Sequence, residues 1–413
     1  MAKKHLIIGC GTAALSAAKK IRSISREDKI KLVTAEECLP YSPAALPYLL
    51  SGRLQEDNLW AADDHLLQAW GCNLVQGKEV VGINTDRKKV VYQDGGEESY
   101  DTLLIASGSQ PVRPLIKGLD DVALASFHNI TDWRELAKKL VGNKEIAIYG
   151  GGMVALEIAA ALLERGFMVR IIVRSRIARG YFAEEVGTFI ESVLRLQGAE
   201  IHAGSEIDEV RIIEDGTEIV LSTGPALHTD LLIACTGVEP RIAFLQNTGI
   251  AINHGILVDK HMSTNLTAIY AAGDAVEACN FFSGRPDINA ITPSAIQQGR
   301  IAGANMAGEK DEDKGWIPMN LFRFFGHTFF CIGLLPWPSC EVITLKDDLS
   351  PIYKELVFQE NRLVGARFVD VDIDPGIIRY LIEERVDIGG WQEQLATHPQ
   401  EVGRSLMLRS ERN

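Results

Sequence analysis

Two short glycine-rich segments have a residue spacing that is typical of dinucleotide binding. Residues 9–14 read GCGTAA and residues 150–155 read GGGMVA, so both follow the pattern G-x-G-x-x-A. The first glycine permits a tight turn, the second lets the backbone approach a pyrophosphate, and the alanine lets a helix pack closely on a sheet. A helix that begins within the segment also presents free N–H groups to phosphates. Two such segments in one chain predict two nucleotide sites.

The residues around each segment predict the elements that would position it. A strand, a helix and a second strand are expected at Leu6–Ile8, 13–24 and Ile30–Val33, and again at Ile146–Tyr149, 156–165 and Val169–Val173. The strands are short apolar runs, as in buried parallel sheets, and Gly166 ends the second helix. Glu36 follows the second strand, where a carboxylate can accept hydrogen bonds from ribose hydroxyls. Because strand, helix, strand and acid fall in register, the first segment is interpreted as a nucleotide site rather than as a turn that binds nothing.

Three later strands also end in small residues. Their predicted ends are Ala106-Ser107-Gly108, then Thr236-Gly237, then Gly273-Asp274. A helix of small residues is expected to begin at Pro293 and Ser294, since proline suits a first helical turn.

Other stretches carry weaker signals. Prolines close together at 40–48 argue against a regular helix there, whereas 58–70 is expected to form one. The composition changes from about Met319, where phenylalanines cluster over 322–330 and a hairpin followed by a helix is expected over 356–384. The phenylalanine cluster is interpreted as core rather than as an interface.

Composition and charge exclude several classes of protein. The 413 residues suffice for two or three domains, with a net charge of −13 and a pI near 5.3. An acidic chain is a poor binder of nucleic acid and of anionic membranes. No apolar run approaches the roughly 20 residues that span a bilayer, and a strand begins close to the N-terminus, so neither a membrane segment nor a signal peptide is expected. Seven cysteines form no C-x-x-C pair, so we expect reduced thiols in a cytoplasmic protein without a metal site of its own.

Taken in order along the chain, these motifs resemble those of the pyridine-nucleotide–disulfide oxidoreductase superfamily. They are most similar to the branch that contains NADH oxidases, coenzyme A disulfide reductases and rubredoxin or ferredoxin reductases, and the resemblance covers almost the whole chain. It implies an α/β fold with two Rossmann-like dinucleotide-binding domains of the three-layer ββα type and a C-terminal α+β interface domain. The implied boundaries are 1–113 with 241–318 for FAD, 114–240 for NAD(P), and 319–413 for the interface domain.

The same resemblance implies roles for the motif residues. The FAD site would comprise Gly9, Gly11, Thr12, Ala13 and Ala14 at the pyrophosphate, Glu36 at the adenosine ribose, and Gly273 and Asp274 at the ribityl or pyrophosphate part. Further cofactor-binding candidates, not assigned to one of the two cofactors, are Ser42, Pro43, Ala106, Ser107, Gly108, Thr236 and Gly237. The helix from Pro293 and Ser294 would direct its positive end at flavin N1 and the C2 carbonyl, where a reduced flavin is negative. The nicotinamide cofactor would contact Gly150, Gly152, Met153, Val154, Ala155 and Arg174. Glu157 would lie beside the nicotinamide as the catalytic candidate, the alternative being an ordinary helix glutamate.

One departure from the family pattern concerns the redox cysteine. Relatives that have this cysteine place it just before Ala-Leu-Pro-Tyr or Gly-Leu-Pro-Tyr, and this chain has Ala44 there. Without a thiol, no sulfenate or mixed-disulfide cycle can run at that site, which argues against peroxidase, water-forming oxidase and disulfide reductase chemistry. Cys38 is interpreted as a loop cysteine. Pro43 and Tyr48 also replace the Arg and Lys of the ferredoxin-reductase pattern.

A second departure concerns the nicotinamide cofactor. NAD-specific relatives usually end the strand after the second glycine segment with Glu or Asp, whereas this chain has Val173-Arg174-Ser175-Arg176. Either arginine could bind a 2′-phosphate through two hydrogen bonds. An arginine there can also stack on the adenine, which serves NAD equally well. The expected cofactors are therefore FAD together with NAD(H) or NADP(H).

The leading hypothesis is an electron-transfer flavoprotein. It would move hydride between nicotinamide and flavin, and single electrons between the flavin and an iron–sulfur partner. The partner would be a small ferredoxin or rubredoxin or a fixed subunit, because residues 39–48 resemble flavoprotein subunits of anaerobic 2-oxoacid oxidoreductase complexes such as phenylglyoxylate dehydrogenase. The expected assembly is a homodimer or a hetero-oligomeric complex. The alternatives are a stand-alone NADH oxidase that forms hydrogen peroxide and a non-catalytic flavin-binding redox sensor or scaffold.

Overall fold

The computed structural model describes residues 2–122, 124–142, 144–347 and 350–410. Residue contacts divide the chain into two compact units, each made of three stretches. The first unit comprises 1–113, 128–134 and 237–317, and the second comprises 114–127, 135–236 and 318–413. The predicted boundaries of the cofactor-binding domains stay predictions, because contacts divide a chain without regard to what it binds.

The α-helices of the described residues are, in chain order, α1 (Thr12–Ile24), α2 (Leu46–Leu50), α3 (Asp64–Ala69), α4 (Ile130–Lys139), α5 (Met153–Glu164), α6 (Glu184–Leu196), α7 (Thr292–Met306), α8 (Pro375–Glu383), α9 (Gln392–Thr397) and α10 (Pro399–Ser410). Short 3-10 turns occur at Pro43–Ala45, Glu56–Asn58, Leu119–Asp121 and Ala243–Leu245.

The strands are, in chain order, β1 (Lys4–Ile8), β2 (Lys29–Val33), β3 (Cys72–Val75), β4 (Val80–Asn84), β5 (Lys89–Tyr92), β6 (Glu97–Ser99), β7 (Thr102–Ile105), β8 (Ser109–Pro111), β9 (Leu124–Ala125), β10 (Glu145–Tyr149), β11 (Met168–Val173), β12 (Glu200–Ala203), β13 (Ile207–Ile213), β14 (Gly216–Leu221), β15 (Leu227–Thr229), β16 (Leu231–Ala234), β17 (Val238–Pro240), β18 (Ile256–Leu257), β19 (Ile269–Ala271), β20 (Val276–Cys279), β21 (Pro286–Ile288), β22 (Met319–Phe324), β23 (His327–Gly333), β24 (Glu341–Lys346), β25 (Tyr353–Gln359) and β26 (Arg362–Val369).

The first unit is built on a parallel sheet with the strand order β19-β7-β1-β2-β3. At its centre, Ile7 on β1 pairs with Leu32 on β2 and with Leu104 on β7, and all three residues are fully buried. Both faces of this sheet are covered, because one core joins it to α1, α7 and the antiparallel sheet β4-β5-β6. Strands buried on both faces need continuous apolar runs, and this is the pattern that predicted them.

The second unit contains a parallel sheet and an antiparallel sheet. The parallel sheet has the order β12-β11-β10-β16-β9, and the antiparallel one has the order β22-β23-β26-β25-β24. A smaller sheet, β13-β14-β15, shares a core with the parallel sheet, in which Ile219 and Leu227 lie with Ile172. In the antiparallel sheet the ring of Phe322 stacks on that of Phe329 at a centroid distance of 4.9 Å, and both are buried. The interpretation of these phenylalanines as core is confirmed.

Helix α7 packs against α1 at backbone contact distance. A Cβ atom on Gly299 would lie 2.1 Å from the carbonyl oxygen of Ala13, and one on Gly303 would lie 2.5 Å from that of Ala17. These glycines lie four residues apart and so share one face of α7. The two helix backbones therefore meet without side chains between them, and any larger residue at Gly299 would displace α7 from α1.

Two local predictions are wrong. Residues 40–48 are not free of helix, because α2 begins at Leu46 with Pro47 in its first turn, where a missing N–H costs no helical hydrogen bond. Over 58–70 the only α-helix is α3, which begins after Asp63. The Asp63 carboxylate accepts the backbone N–H of Leu66 at 2.8 Å, so this cap sets the start of the helix.

Some features are not found in the part of the chain that the structure describes. None of the described helices is both long enough and apolar enough to cross a membrane. Nor does a group of three His, Cys, Asp or Glu residues there have an arrangement that could hold a metal ion. All seven cysteines lie within the described ranges, and all are free thiols.

Candidate functional site

The carboxyl ends of four parallel strands meet at one edge of the first sheet. Strands β1, β2, β7 and β19 are consecutive in that sheet, so the residues that follow them share this edge. These residues are Gly9, Glu36, the turn 106–108 and the pair Gly273-Asp274. The fold thus brings together predicted site residues that are far apart in the sequence.

Gly9 and Gly11 have different structural requirements. Gly9 has a φ of +109°, and a Cβ atom there would lie 2.1 Å from the carbonyl oxygen of Ala106, so the position accepts only glycine. Gly11 has an ordinary φ of −73°. No described atom lies within 4 Å of a Cβ on Gly11, so the packing of the chain does not require a glycine there. The open space beside Gly11 fits a ligand that approaches the backbone, such as a pyrophosphate.

Two helices begin at this edge with uncapped N-termini. No described side chain caps α1, which follows Gly11, or α7, which follows Ile291, and neither first turn contains an acidic residue. Pro293 lies in the first turn of α7, and the Ser294 hydroxyl beside it accepts a hydrogen bond from the Asn289 side chain at 2.9 Å. Free N–H groups at the positive end of a helix favour an anion. Both termini therefore fit the negative parts of a flavin dinucleotide.

Polar groups surround the carboxylate of Glu36. The Cys38 thiol donates to Glu36 Oε2 at 3.5 Å, and the Glu36 backbone N–H donates to the Thr34 hydroxyl at 3.2 Å. Burial, followed by the charge of Glu36, raises the pKa of Cys38 to about 12 and also raises the pKa of Tyr41. The Tyr41 hydroxyl accepts the backbone N–H of Ile130 at 2.8 Å. The contacts with Thr34 and Cys38 hold Glu36 at the sheet edge, and its role as an acceptor for ribose hydroxyls stays a prediction.

Asp274 lies at the same edge with two partners that the sequence did not indicate. Burial raises the pKa of the Asp274 carboxyl, and the Ser109 hydroxyl donates to its Oδ2 at 2.9 Å. His128 Nε2 lies 2.9 Å from the Ser109 carbonyl oxygen, which can only accept, so Nε2 carries the proton. Neither Ser109 nor His128 belongs to a motif, and a single residue without a pattern gives no positional signal.

The second sheet repeats this arrangement. Strands β10, β11 and β16 are parallel neighbours, so Gly150, Arg174 and Thr236 follow strands that end at the same edge. Gly150 has a φ of +138°, and a Cβ there would lie 2.2 Å from the carbonyl oxygen of Cys235. A Cβ on Gly152 has no described atom within 4 Å. Gly150 and Gly152 thus differ in the same way as Gly9 and Gly11. The packing of the chain requires the first glycine of each pair, whereas it does not require the second.

The first turn of α5 is open to solvent. No described side chain caps this helix, which begins at Met153, and Val154 is 49% exposed. Gly237, predicted together with Thr236, belongs by its contacts to the first unit, where its carbonyl oxygen accepts the Val112 N–H at 3.0 Å. The predicted residues 236–237 are therefore divided between the two units.

Glu157 lies on α5 within two turns of the glycine segment. Burial raises the pKa of its carboxyl to about 7. A carboxyl group with a pKa near neutrality can donate or accept a proton at working pH, and such groups concentrate at functional sites. The role of Glu157 beside a nicotinamide stays a prediction, and its position on α5 and its burial support that prediction.

The two arginines after β11 differ in their surroundings. The side chain of Arg174 is 79% exposed, and its Nε lies 3.6 Å from a carboxylate oxygen of Glu206. Arg176 instead turns toward its own loop, where it donates to the carbonyl oxygen of Phe182 at 2.8 Å. The sequence does not distinguish the two arginines as candidates for binding a 2′-phosphate. In the structure Arg174 is exposed, whereas Arg176 is bound to backbone carbonyl groups.

The segment that carries a redox cysteine in some relatives has none here. Ala44 is exposed and lies in the 3-10 turn Pro43–Ala45. This turn begins directly after Ser42. Burial raises the pKa of the Cys10 thiol to about 11, and the pKa of Cys38 is raised as described. Since the thiolate is the reactive form of cysteine, these two thiols are inert at neutral pH.

Comparison with known proteins gives the family. The family profile described as "Pyridine nucleotide-disulphide oxidoreductase" matches residues 3–304. The chain belongs to this family. Its members are oxidoreductases that bind FAD and a nicotinamide dinucleotide, and the chain is accordingly an FAD-dependent NAD(P)H oxidoreductase. The predicted family is confirmed.

Individual relatives are similar over most of their length. The chain is 32% identical over 409 residues to the NADH-dependent phenylglyoxylate dehydrogenase subunit epsilon of Aromatoleum evansii, which covers 98% of this chain and 97% of that protein. It is 28% identical over 402 residues to the NAD(P)H sulfur oxidoreductase (CoA-dependent) of Pyrococcus furiosus, with coverages of 91% and 90%. The solved covalent putidaredoxin reductase–putidaredoxin complex matches with a TM-score of 0.89, 22% identity and coverages of 100% and 99%. This likeness confirms the predicted fold class.

The residues present fit the cofactors of the family. At the edge of the first sheet, the open approach at Gly11, the uncapped α1 and the carboxylate of Glu36 suit a pyrophosphate next to a ribose. At the edge of the second sheet, the open approach at Gly152 and the uncapped α5 suit another pyrophosphate, but the loop after the second strand there begins with an arginine and contains no acid before Arg176. Each unit therefore has the groups for one dinucleotide.

Proposed function

We propose that this protein takes hydride from NADH or NADPH and passes the electrons singly to an iron–sulfur protein or subunit. The observation that carries the proposal is Ala44, which stands where some members of the family have their redox cysteine. Bound FAD supplies the chemistry, since a flavin exchanges hydride with a nicotinamide and single electrons with other carriers.

The residues of the chain bind and orient in this proposal. The first glycine segment and α1 would hold the FAD pyrophosphate, Glu36 the adenosine ribose and Asp274 the ribityl chain. The N-terminus of α7 would stabilise negative charge on the flavin ring through its free N–H groups. Glu157, with a pKa of about 7 raised by burial, would lie beside the nicotinamide and hold a proton there.

For the partner we propose a fixed subunit of a 2-oxoacid oxidoreductase complex. A relative that is similar to the chain over 98% of this chain and 97% of its own length is named as a subunit, and this supports the proposal. A small ferredoxin or rubredoxin is the alternative partner, and a homodimer the alternative assembly. We also propose a cytoplasmic location, which suits seven unpaired cysteines.

The test begins with purified, FAD-loaded protein under anaerobic conditions. NADH or NADPH should bleach the flavin, and each equivalent should reduce two equivalents of a one-electron iron–sulfur acceptor. The variant Gly152→Ala serves as the matched control, because its Cβ has space in the folded chain and should hinder only the nicotinamide dinucleotide. A flavin that neither nucleotide bleaches would contradict the proposal. Retention of iron–sulfur subunits at fixed stoichiometry during native purification would support the complex.

A stand-alone oxidase is the competing function. It would consume oxygen with NAD(P)H alone at a rate near that with the iron–sulfur acceptor, and hydrogen peroxide would accumulate in equal amount to the NAD(P)H consumed. The same preparation measured in air distinguishes the two. A rate in air far below the rate with the acceptor favours electron transfer to a protein.

A further inference from the structure

We infer that this chain uses NADPH in preference to NADH and that Arg174, at the carboxyl end of β11, binds the 2′-phosphate. The inference rests on the proposed function only in taking a nicotinamide dinucleotide as the electron donor. The names of relatives do not decide the matter, since one specifies NADH and another NAD(P)H. The residues at the end of this strand therefore carry the argument.

The end of β11 lacks the acid that would bind a ribose diol. Strand β11 closes with Val173, which is 6% exposed, and continues with Arg174 and Ser175. In the first unit the loop after β2 carries an acid instead, Glu36, three residues beyond Val33. A carboxylate repels a 2′-phosphate and accepts from a 2′-hydroxyl, whereas a guanidinium does the reverse. The loops that follow the second strand of the two glycine units thus carry side chains of opposite charge.

Arg176 is not available for the phosphate, because the loop itself occupies its guanidinium. It donates to the carbonyl oxygen of Phe182 at 2.8 Å and contacts those of Ile177 and Ala183 at 3.5 Å. Three backbone acceptors on one guanidinium make it a structural support of the turn that follows the strand. The choice that the sequence left open between Arg174 and Arg176 is therefore decided by the backbone carbonyl groups around Arg176.

The loop that carries Arg174 is fixed at both of its ends. The Ala178 N–H donates to the carbonyl oxygen of Gly151, within the glycine segment, at 2.9 Å. Farther along, Arg367 on β26 donates from Nε to the Tyr181 carbonyl oxygen at 3.3 Å, and Phe182 packs edge-on against Phe329 of the C-terminal sheet. A fixed loop presents its side chains without the entropy cost of ordering on binding.

Arg174 is exposed enough to meet a phosphate. Its side chain is 79% exposed, and its Nε lies 3.6 Å from a carboxylate oxygen of Glu206. An exposed pair of this kind contributes little by itself, so a phosphate can compete for the guanidinium. The two terminal nitrogens form the fork that binds phosphate oxygens with two parallel hydrogen bonds.

Isothermal titration of the full, FAD-loaded chain with NADP⁺ and NAD⁺ tests the inference, because these ligands differ only in the 2′-phosphate. We expect NADP⁺ to bind at least about tenfold more tightly than NAD⁺. Arg174→Ala should weaken NADP⁺ binding by about 10- to 100-fold and leave NAD⁺ within about twofold. Arg174→Lys, which keeps the charge but not the fork, should be intermediate. Arg211→Ala, an exposed and ion-paired arginine on β13 of the same unit, is the matched control and should change neither.

The remaining outcomes separate this inference from the proposed function. Equal affinities in the unmodified protein, or equal weakening of both ligands by Arg174→Ala, would overturn it, the second result meaning that Arg174 stacks on the adenine. A third result would also overturn it. If Glu206→Gln weakens NAD⁺ binding and Arg174→Ala has no effect, Glu206 is the residue that accepts hydrogen bonds from the ribose hydroxyls. Tight and Arg174-dependent NADP⁺ binding in a protein that reduces no iron–sulfur acceptor would support the inference and contradict the proposed function.

Discussion

The two glycine segments of this chain are alike in sequence and differ in what covers them. Ala13, in the first turn of α1, is 6% exposed, whereas Val154, at the corresponding position of α5, is 49% exposed. The difference comes from α7, whose Gly299 lies against the backbone of Ala13. A covered site suits a cofactor that stays bound, and an open site suits a dinucleotide that enters and leaves at every turnover. One local motif can thus serve a resident group or a substrate, depending on which element packs over it.

The two segments also differ in the charge that follows the second strand. Glu36 after β2 is surrounded by groups that hold a carboxylate in place, whereas Arg174 after β11 extends into solvent. In the proposed function the backbone turn would fix where a pyrophosphate lies, and this one residue would select what may be attached to the ribose. The backbone would thus recognise the pyrophosphate, which is common to these ligands. A side chain would recognise what is attached to the ribose, which varies between them.

The largest effect is expected from Gly9→Ala. The positive φ and the 2.1 Å approach to the Ala106 carbonyl oxygen together should lower the free energy of unfolding by about 4 kcal/mol. Gly11→Ala, its matched control, should leave the fold stable and weaken only FAD binding. Chemical denaturation followed by circular dichroism, with bound FAD measured by absorbance, checks both. Equal stability of the two variants would break the distinction between a structural glycine and a ligand-binding glycine.

Gly299→Ala should remove the cover from the first site. Its Cβ would meet the Ala13 carbonyl oxygen at 2.1 Å, so we expect α7 to move and the free energy of unfolding to fall by about 2–3 kcal/mol. FAD should dissociate faster, while NADP⁺ affinity of the second unit should stay the same. Gly82→Ala, with its nearest atom at 4.0 Å and an ordinary φ, is the control. If FAD release is unchanged in a destabilised Gly299→Ala protein, coverage by α7 does not explain retention.

Glu157→Gln should change how stability depends on pH. Burial raises the pKa of Glu157 from 4.5 to about 7, so the folded state binds the proton more tightly and loses stability as the pH rises from 4.5 to 7. The glutamine variant lacks this loss. We therefore compare the free energy of unfolding of the variant with that of the unmodified protein at each pH. The difference should shift in favour of the variant by on the order of 2 kcal/mol between pH 5 and pH 8. Unfolding curves at the two pH values measure it, and a difference independent of pH would refute the raised pKa.

Glu36→Gln should have the smallest effect. The carboxylate becomes a neutral amide of the same shape, so hydrogen bonds to the ribose hydroxyls weaken and FAD affinity should fall by about tenfold, or about 1.4 kcal/mol. NADP⁺ affinity should not change, because Glu36 belongs to the first unit. Equilibrium dialysis of FAD gives the first number and titration calorimetry the second. Unaltered FAD binding would remove Glu36 from the site and weaken the contrast with Arg174.

Sequence patterns located the elements that local chemistry dictates. Both strand–helix–strand units lie where apolar runs and glycine spacing place them, because a strand buried on two faces and a turn with positive φ restrict residue types strongly. The pattern over 58–70 predicts too long a helix, since the capping carboxylate of Asp63 decides where the helix starts. The prolines over 40–48 argue against α2, yet a proline in the first turn of a helix is compatible with it.

The sequence by itself determined two dinucleotide turns, an acid after the first, a basic run after the second and the lack of a thiol at Ala44. Those features depend on residue type and spacing over a few positions. Only the tertiary structure decided that α7 covers α1, that His128 and Ser109 join Asp274, and that Arg174 rather than Arg176 is open to a ligand. Each of these depends on contacts between residues distant in the chain or on which backbone carbonyl groups a side chain reaches, and no local pattern encodes such contacts.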